Sequence, residues 1–315
     1  MDRGERQGPV TGTAGDSGVA GDTRSVRPAA RGSSEGRPVM RYVAAAKTDV
    51  GRKRQGNEDS FCLEKDLGLY VVADGMGGHA AGEVASRLAV ETIRETMGRY
   101  LGGRPMDKAG STAAGGSREA NFLLSSIRNA NRAIFDAANG RTECAGMGTT
   151  VAVALTQGDR VLVAHVGDSR IYRIRGGAIE QVSRDHSLVQ QQVEIGLLSE
   201  AEARRSQYRH MITRALGHKE SVEVDLTELP AQVGDVLLLC SDGLSDLLDN
   251  GEILAAAGEH PTDLIKACSA LVDRANHKGG DDNITVLLIR VLADNGRTPG
   301  RPRDLLAWLK RVFSA

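Results

Sequence analysis

Three apolar runs in this chain each lead into a predicted turn in which an aspartate stands beside a glycine. The aspartates, each with the run that precedes it, are Asp74 (69–73), Asp168 (161–166) and Asp242 (236–240). A fourth acidic turn, 279–283, works in the reverse direction and opens the apolar run 284–289. Such runs are typical of buried strands, whose ends are rigid supports that can converge on one point. Oxygen-only clusters suit hard divalent cations, so the pattern indicates a metal site.

The acidic pair Glu58 and Asp59 follows a basic stretch that ends at Arg54. Carboxylates gathered at one point repel each other unless cations neutralise them. Two divalent ions roughly 3.5–4 Å apart can share a water and lower its pKa, and an arginine can hold a phosphoryl group with two hydrogen bonds. Carboxylates, two metals and Arg54 would together make a phosphoester hydrolase.

Less specific readings of the same residues stay open at this point. Asp-Gly and Gly-Asp are ordinary turn dipeptides, and a single arginine such as Arg54 is often a solvated surface residue. His79, His165 and His186 could be ligands, but they share no zinc spacing. We expect His165 to be a core residue or a support behind the ligands, and Met76 to be structural.

Composition narrows the class of protein. The 315 residues are 40% hydrophobic, the net charge is -1 and only 3% are aromatic, so we expect a sizeable core and no nucleic-acid partner. None of the four cysteines forms a CxxC pair, which favours a reducing compartment. We see neither an apolar stretch of about 20 residues nor an apolar signal segment. We therefore expect a cytoplasmic protein without a transmembrane segment.

Local composition divides the chain into segments. Residues 1–38 contain almost no large apolar residue, so we expect a disordered tail before a folded domain at 39–292. Within that domain, 102–117 has the composition of a flexible insertion. Residues 293–303 have the composition of a linker, and we expect 304–315 to form a short amphipathic helix.

The periodicity predicts helices and strands in clusters. Helices are predicted at 82–100 and 118–139, with Phe122, Ile127, Ile134 and Phe135 as core positions of the second. Further strands are predicted at 149–155, 160–166, 170–175, 178–182, 222–228, 235–240 and 283–292. Short helices are predicted at 244–248 and 252–257, and a longer helix at 262–276. This clustering favours an α+β fold over a doubly wound parallel sheet.

Six motifs also occur in an order that resembles a known family. They are DVGRKRQGNED (49–59), VADGMGGH (72–79), GTT (148–150), VGDSR (166–170), SDGL (241–244) and GDDNIT (280–285). The match spans residues 42–292. In these motifs the chain is similar to the type 2C (PPM) metal-dependent serine/threonine protein phosphatases, and in particular to their bacterial branch.

The resemblance implies a fold and a set of residue roles. The fold would be a four-layer α-β-β-α sandwich of two largely antiparallel sheets flanked by helices, with 184–217 as a flap beside the cleft. Two Mn²⁺ or Mg²⁺ ions would be bound, with Asp74 as the bridging ligand. The other implied roles are Glu58 and the Gly75 carbonyl on one ion, Asp242 and Asp282 on the other, Asp168 at a third, weaker site, Asp59 orienting metal-bound water, and Arg54 binding the substrate phosphate.

One position departs from the eukaryotic pattern of this family. Many eukaryotic members have a histidine, proposed as general acid, where this chain has Met76, and a thioether cannot donate a proton. His79 lies three residues further on, but nothing in the sequence assigns the role to it. The general acid therefore stays unassigned.

The resemblance also leaves partners and an alternative function to be weighed. We expect a monomer that dephosphorylates phosphoserine and phosphothreonine in proteins, among them a Ser/Thr kinase and its substrates. The alternative is a non-catalytic module that binds phosphoproteins, although such modules usually lack metal aspartates. The helix at 304–315 could pack on the domain, dock a partner, or lie on a membrane surface through Arg301, Arg303, Lys310 and Arg311.

Overall fold

The computed structural model describes residues 40–77, 80–101, 117–140 and 142–294. The predicted tail, residues 102–116 of the insertion, the linker beyond Asp294 and the helix at 304–315 lie outside the described residues. Seven α-helices are described: α1 (Ala80–Leu101), α2 (Arg118–Gly140), α3 (Leu188–Glu194), α4 (Glu200–Arg205), α5 (Asp242–Ser245), α6 (Asn250–Gly258) and α7 (Leu264–His277).

Eleven described strands form two antiparallel sheets. The strands are β1 (Met40–Asp49), β2 (Asp59–Glu64), β3 (Leu69–Met76), β4 (Gly148–Thr149), β5 (Val151–Gln157), β6 (Arg160–Val166), β7 (Arg170–Arg175), β8 (Ala178–Gln181), β9 (Asp225–Pro230), β10 (Val236–Cys240) and β11 (Ile284–Ala293). One sheet has the order β1-β11-β10-β7-β8 and the other β2-β3-β5-β6-β9, with β4 beside β3.

The alternation of side chains along the strands builds four layers. In β3, Leu69, Val71 and Ala73 pack with α1 and α2, whereas Tyr70 and Val72 face the other sheet. In β11, the residues at 284, 286 and 288 pack with α6 and α7, and those at 287, 289 and 291 face β3's sheet. Because both faces of these strands are buried, their sequences are continuous apolar runs. The predicted α-β-β-α sandwich is therefore confirmed.

Most predicted elements are present, and the differences have physical causes. Gly176 and Gly177 have φ of 57° and 79°, which suits the two-residue turn of the β7–β8 hairpin. β1 and β2 were not predicted, because their alanine and polar residues do not form an apolar run. Phe122 and Phe135 are only half-buried, and Leu123 is one of the fully buried positions of α2 instead.

Two further findings concern the described part of the chain as a whole. All four cysteines are buried and unpaired, as expected for small core residues. No helix among the described residues is long and apolar enough to span a bilayer.

Candidate active site

The predicted site residues meet at one end of the two sheets. They surround a cavity of about 1070 Å³ whose walls include Arg54, Glu58, Asp74, Gly75, Asp168, Asp242 and Asp282. Asp59 is not in that wall. It is buried beside Asp74, its direct partner across β2 and β3. Residues up to 228 positions apart in sequence thus share one site.

Asp74 lies within a strand, so the prediction of a turn at Asp74-Gly75 was wrong. β3 continues to Met76 because β4 pairs with it, Gly75 opposite Thr149 and Met76 opposite Gly148. A Cβ on Gly75 would lie 2.1 Å from the Gly82 carbonyl oxygen. Glycine at position 75 therefore allows the first turn of α1 to approach the strand.

The Gly-Thr-Thr motif holds the backbone of Asp74. The Thr150 amide and the Thr149 hydroxyl both donate to the Asp74 carbonyl, at 2.9 and 2.8 Å, and the Asp74 amide donates to Thr150 Oγ1. Thr150 Oγ1 also lies 2.6 Å from Ser169 Oγ, beside Asp168. Two of the aspartates are thereby connected through buried hydroxyls.

Asp242 opens helix α5 at the end of β10. The helix begins two residues earlier than predicted, because Ser241 has an extended conformation, with φ −76° and ψ 170°, as the residue before the first turn. Ser241 Oγ donates to Asp59 Oδ2 at 2.8 Å. A Cβ on Gly243 would lie 2.1 Å from the Asn283 carbonyl oxygen, so β11 passes directly beside this turn.

Asn283 fastens the loop that carries Glu58. Its Nδ2 donates to the carbonyls of Val50 and Gly56, both at 2.9 Å, and its Oδ1 accepts from the Glu58 amide at 2.8 Å. Asn283 as a whole is 3% exposed. The sequence motif around Asp282 therefore also sets the position of Glu58.

Arg54 forms an ion pair with Asp282 in this structure. Arg54 Nη2 lies 2.6 Å from Asp282 Oδ2, and both side chains are partly exposed. A predicted phosphate ligand thus contacts a predicted metal ligand at the mouth of the cavity. The pair brings a guanidinium close to the carboxylates.

The electrostatics of the site favour a bound cation. Burial raises the pKa of Asp74 well above its usual range, and Asp59, Asp242 and Asp168 raise it further. Burial, followed by Asp168 and Asp246, likewise raises the pKa of Asp242. Burial raises the pKa of Asp59 to about 6 and that of Asp168 to about 7. Arg54 lowers the pKa of Asp59 and Arg170 lowers that of Asp168, but neither offsets the effect of burial.

The donor set fits hard divalent cations. Its members are carboxylate and carbonyl oxygens, which Mn²⁺ and Mg²⁺ prefer. Two buried carboxylate oxygens, Asp59 Oδ1 and Asp242 Oδ1, have no hydrogen-bond partner among the described residues. Buried acceptors are rarely left unsatisfied, so these atoms indicate a ligand or ordered water in the site.

Sequence reasoning missed residues at this site and pointed to others outside it. Asp246 and His210 line the cavity, and a ligand atom of each lies within 4.8 Å of one on Asp242. The available signal was the spacing of Asp246, four positions after Asp242 and hence about one helical turn away. His165 and His186 belong to a separate cluster with Asp225. His79 lies outside the described residues.

Comparison with known proteins gives the same family as the motifs. The family model described as protein phosphatase 2C matches residues 51–285. The serine/threonine phosphatase stp of Listeria monocytogenes is 35% identical over 81% of this chain and 98% of its own length. PstP of Mycobacterium tuberculosis is 37% identical over 82% of this chain and 47% of its length.

A solved structure extends this similarity to three dimensions. The catalytic domain of PstP in complex with two manganese ions is similar to this chain with a TM-score of 0.67 and 36% identity. The similarity covers 81% of this chain and 99% of that one. The chain therefore belongs to the type 2C family of metal-dependent serine/threonine protein phosphatases.

Proposed function

We propose that this chain removes phosphate from phosphoserine and phosphothreonine in proteins, and that the carboxylate-lined cavity is where it does so. The observation that carries the proposal is the convergence of enclosed carboxylates with raised pKa values on one cavity that also contains an arginine. Such a set binds divalent cations and a phosphate together.

Each ligand role is part of the proposal. Asp74 would bridge two Mn²⁺ or Mg²⁺ ions, with Glu58 and the Gly75 carbonyl on one side. Asp242 and Asp282 would hold the other ion, and Asp168 would serve a third, weaker site. Two divalent cations so placed would lower the pKa of a shared water and make a nucleophile available near neutral pH.

The remaining groups act on the substrate and on the attacking water. Arg54 would hold the phosphate oxygens with its planar guanidinium, for which its position at the cavity mouth is suitable. Asp59 is fixed on one oxygen by Ser241 and keeps the other available as an acceptor. We assign to Asp59 the orientation of the attacking water through that second oxygen.

The leaving group needs a proton that Met76 cannot supply. Met76 lines the cavity but has no proton to donate. An alkoxide from phosphoserine needs protonation more than an aryl oxide does. Activity on phosphoserine relative to an aryl phosphate therefore reports how well the site supplies that proton.

Partners, assembly and location follow by inference. We infer that the substrates include a Ser/Thr kinase and its targets, and that the chain acts as a cytoplasmic monomer. The flap at 184–217 is proposed to select substrates, since its residues 209, 210 and 212 line the cavity and it exposes the large apolar side chains Ile195, Leu197, Tyr208 and Met211. Exposed apolar side chains at an entrance can contact the residues around a phosphorylated site.

Phosphate release tests the proposal directly. Phosphothreonine, phosphoserine and phosphotyrosine peptides are incubated with the protein in Mn²⁺, Mg²⁺ or EDTA. We expect release from the first two peptides with either metal and none in EDTA. Release that persists in EDTA, or metal-dependent peptide binding without turnover, would contradict the proposal, and the latter result would indicate a binding module.

A further inference from the structure

Asp59 belongs to one sheet, but the hydroxyls that bond its side chain belong to the other. Asp59 opens β2, whereas Ser241 follows the end of β10 and Thr285 lies in β11. All three residues are buried. The orientation of this carboxyl therefore depends on residues that come from far along the chain.

The backbone of β11 directs the Ser241 hydroxyl towards Asp59. Ser241 Oγ accepts from the Thr285 amide at 2.9 Å, and the Ser241 amide donates to the Thr285 carbonyl at 3.1 Å. The proton of this hydroxyl has two acceptors within reach. Asp59 Oδ2 at 2.8 Å is nearer than the Asn283 carbonyl at 3.4 Å, so the proton goes to the carboxylate.

A second chain of hydrogen bonds begins and ends at Asp59. The Asp59 amide donates to Asn57 Oδ1 at 3.1 Å, which directs Asn57 Nδ2 to Thr48 Oγ1 at 2.8 Å. Thr48 Oγ1 in turn lies 2.7 Å from Thr285 Oγ1. Thr48 and Thr285 are direct partners in the pairing of β1 with β11, so the register of these strands places their hydroxyls side by side.

The direction of each hydrogen bond in this second chain follows from the first. Because Asn57 Nδ2 can only donate, Thr48 Oγ1 accepts there and gives its own proton to Thr285 Oγ1. The reverse direction would leave the Thr48 proton without an acceptor among the described residues. Thr285 therefore keeps its proton for Asp59. Burial raises the pKa of Asp59, and the hydrogen bonds of Thr285 and then of Ser241 lower it.

Two hydroxyls directed in this way favour one form of Asp59. A carboxylate accepts from both of them, whereas a protonated carboxyl would direct a proton of its own against one of them. Asp59 Oδ1 has no hydrogen-bond partner among the described residues, so it remains for water or a ligand. The network thus determines both the form of Asp59 and the oxygen that it presents.

We propose that Thr285 is a positioning residue whose hydroxyl, held by Thr48 and Asn57, keeps Asp59 as a hydrogen-bond acceptor turned towards the attacking water. This rests on the proposed function in taking Asp59 as the group that orients that water. It adds that the rate of phosphate release depends on a hydroxyl inside β11. Thr285 is fully buried and is not among the residues that line the cavity.

Two substitutions at one position separate the hydroxyl of Thr285 from its bulk. Thr285→Val keeps the branched shape and removes the hydroxyl, whereas Thr285→Ser keeps the hydroxyl and removes the methyl group. Thr227→Val, at an exposed threonine of β9, is the matched control. Asp59→Asn supplies a background in which the charged acceptor is absent.

Steady-state kinetics with a phosphothreonine peptide in saturating Mn²⁺ measures kcat and KM, and calorimetric titration measures the affinity for Mn²⁺. We expect Thr285→Val to lower kcat about tenfold, the effect of one hydrogen bond to a charged group, with KM and Mn²⁺ affinity within about threefold of wild type. Thr285→Ser and the control should keep kcat within about threefold. In the Asp59→Asn background, Thr285→Val should lower kcat by less than about threefold, because the two residues act as a unit.

Thermal unfolding in EDTA at pH 8 tests the contact without turnover. At this pH, above the pKa of about 6, Asp59 is ionised in the folded protein. We expect Thr285→Val to lower Tm more in wild type than in the Asp59→Asn background, since a hydrogen bond to a charged acceptor is the stronger one. Equal decreases in the two backgrounds would refute the contact between Thr285 and Asp59.

Three kinetic results would overturn the inference. They are an unchanged kcat in Thr285→Val, equal losses in Thr285→Val and Thr285→Ser, and a loss accompanied by weaker Mn²⁺ binding. If Thr285→Val does not fold, Thr48→Val tests the network from its other end. We expect it to lower kcat about two- to tenfold, and an unchanged kcat would refute the inference. Wild-type protein that binds Mn²⁺ but releases no phosphate would refute the proposed function, while the Tm comparison would still test the network.

Discussion

At the scale of single residues, the site consists of carboxyl groups whose ionised form is unfavourable without a ligand. Asp74 and Asp242 have raised pKa values because burial and neighbouring carboxylates oppose their ionisation. A divalent cation beside each carboxyl would stabilise its ionised form. Such side chains destabilise the metal-free protein and stabilise the metal-bound protein. They are expected at a site whose function is binding.

Arg54 gives a residue-level prediction. Arg54→Met should lower kcat/KM for a phosphothreonine peptide about 10- to 150-fold, the effect of losing hydrogen bonds of about 1.5–3 kcal/mol to a charged group. Steady-state kinetics in saturating Mn²⁺ measures it. Lys53→Met is the control, because Lys53 pairs with Asp281 rather than with a proposed ligand. Equal losses in both variants would contradict a specific role for Arg54.

At the scale of elements, the sequence predicted what is strongly periodic and missed what depends on neighbours. Helices α1 and α2 and strand β6 have the predicted type and nearly the predicted bounds. β1 lacked a signal because its alanines become strand only by pairing with β11. β3 extends through Asp74-Gly75 because β4 arrives from 72 positions away, which no local pattern contains.

The loop fastened by Asn283 supports a second prediction. Asn283→Ala removes three hydrogen bonds to the 50–58 loop, so we expect the free energy of unfolding to fall by about 1–3 kcal/mol, with weaker Mn²⁺ binding. Urea denaturation in EDTA and Mn²⁺ titration measure the two effects. Asn139→Ala, at an exposed residue of α2, should change neither. Unchanged Mn²⁺ affinity in Asn283→Ala would show that Glu58 does not depend on this contact.

Two residues of helix α7, one buried and one exposed, form a matched pair that tests how the outer helical layer packs. Leu271 is fully buried against the sheet of β1 and β11, whereas Ile265 is 73% exposed on the same helix. Leu271→Ala should lower the free energy of unfolding by about 2–5 kcal/mol, and Ile265→Ala by less than about 0.5 kcal/mol. Urea denaturation measures both. Similar values for the two variants would contradict the assigned layer.

At the scale of the whole molecule, the site exists because both sheets end at the same place. Asp74 belongs to one sheet, while Asp242 and Asp282 flank neighbouring strands of the other. Strand patterns alone indicated rigid carboxylates that could converge, and the resemblance of the ordered motifs implied which role each of them has. Asp246 and His210 were missed because their proximity depends on helix α5 and on how the flap folds back.

The stability of the whole domain should depend on pH and metal together. The pKa values of Asp59 and Asp168 are raised to about 6 and about 7. A carboxyl whose pKa is higher in the folded state than in the unfolded state, where it is about 4, stabilises the fold at pH values below its unfolded-state pKa. This stabilisation is lost as the pH rises through the folded-state pKa. Mn²⁺ replaces the lost protons, so the increase in Tm that Mn²⁺ causes should grow from about pH 5 to about pH 8.

Differential scanning fluorimetry with Mn²⁺ and with EDTA measures this increase at each pH. The control is Asp168→Asn, in which one of the titrating carboxyls is absent and the growth with pH should be smaller. A metal-induced increase in Tm that stays constant or falls across this range would contradict protonated carboxyls in the metal-free site.

The central claim is that these carboxylates hold the cations on which phosphate release depends, and Asp242→Asn tests it most directly. Phosphate release from a phosphothreonine peptide and Tm are measured for wild type and variant, with Mn²⁺ and with EDTA. We predict release at least about 100-fold slower in the variant, since metal ions supply several kcal/mol of transition-state stabilisation. The Tm in EDTA should be unchanged or higher, because a buried repulsion is removed, and the increase in Tm caused by Mn²⁺ should be largely lost. Wild-type rates of release in a variant that no longer responds to Mn²⁺ would contradict the account.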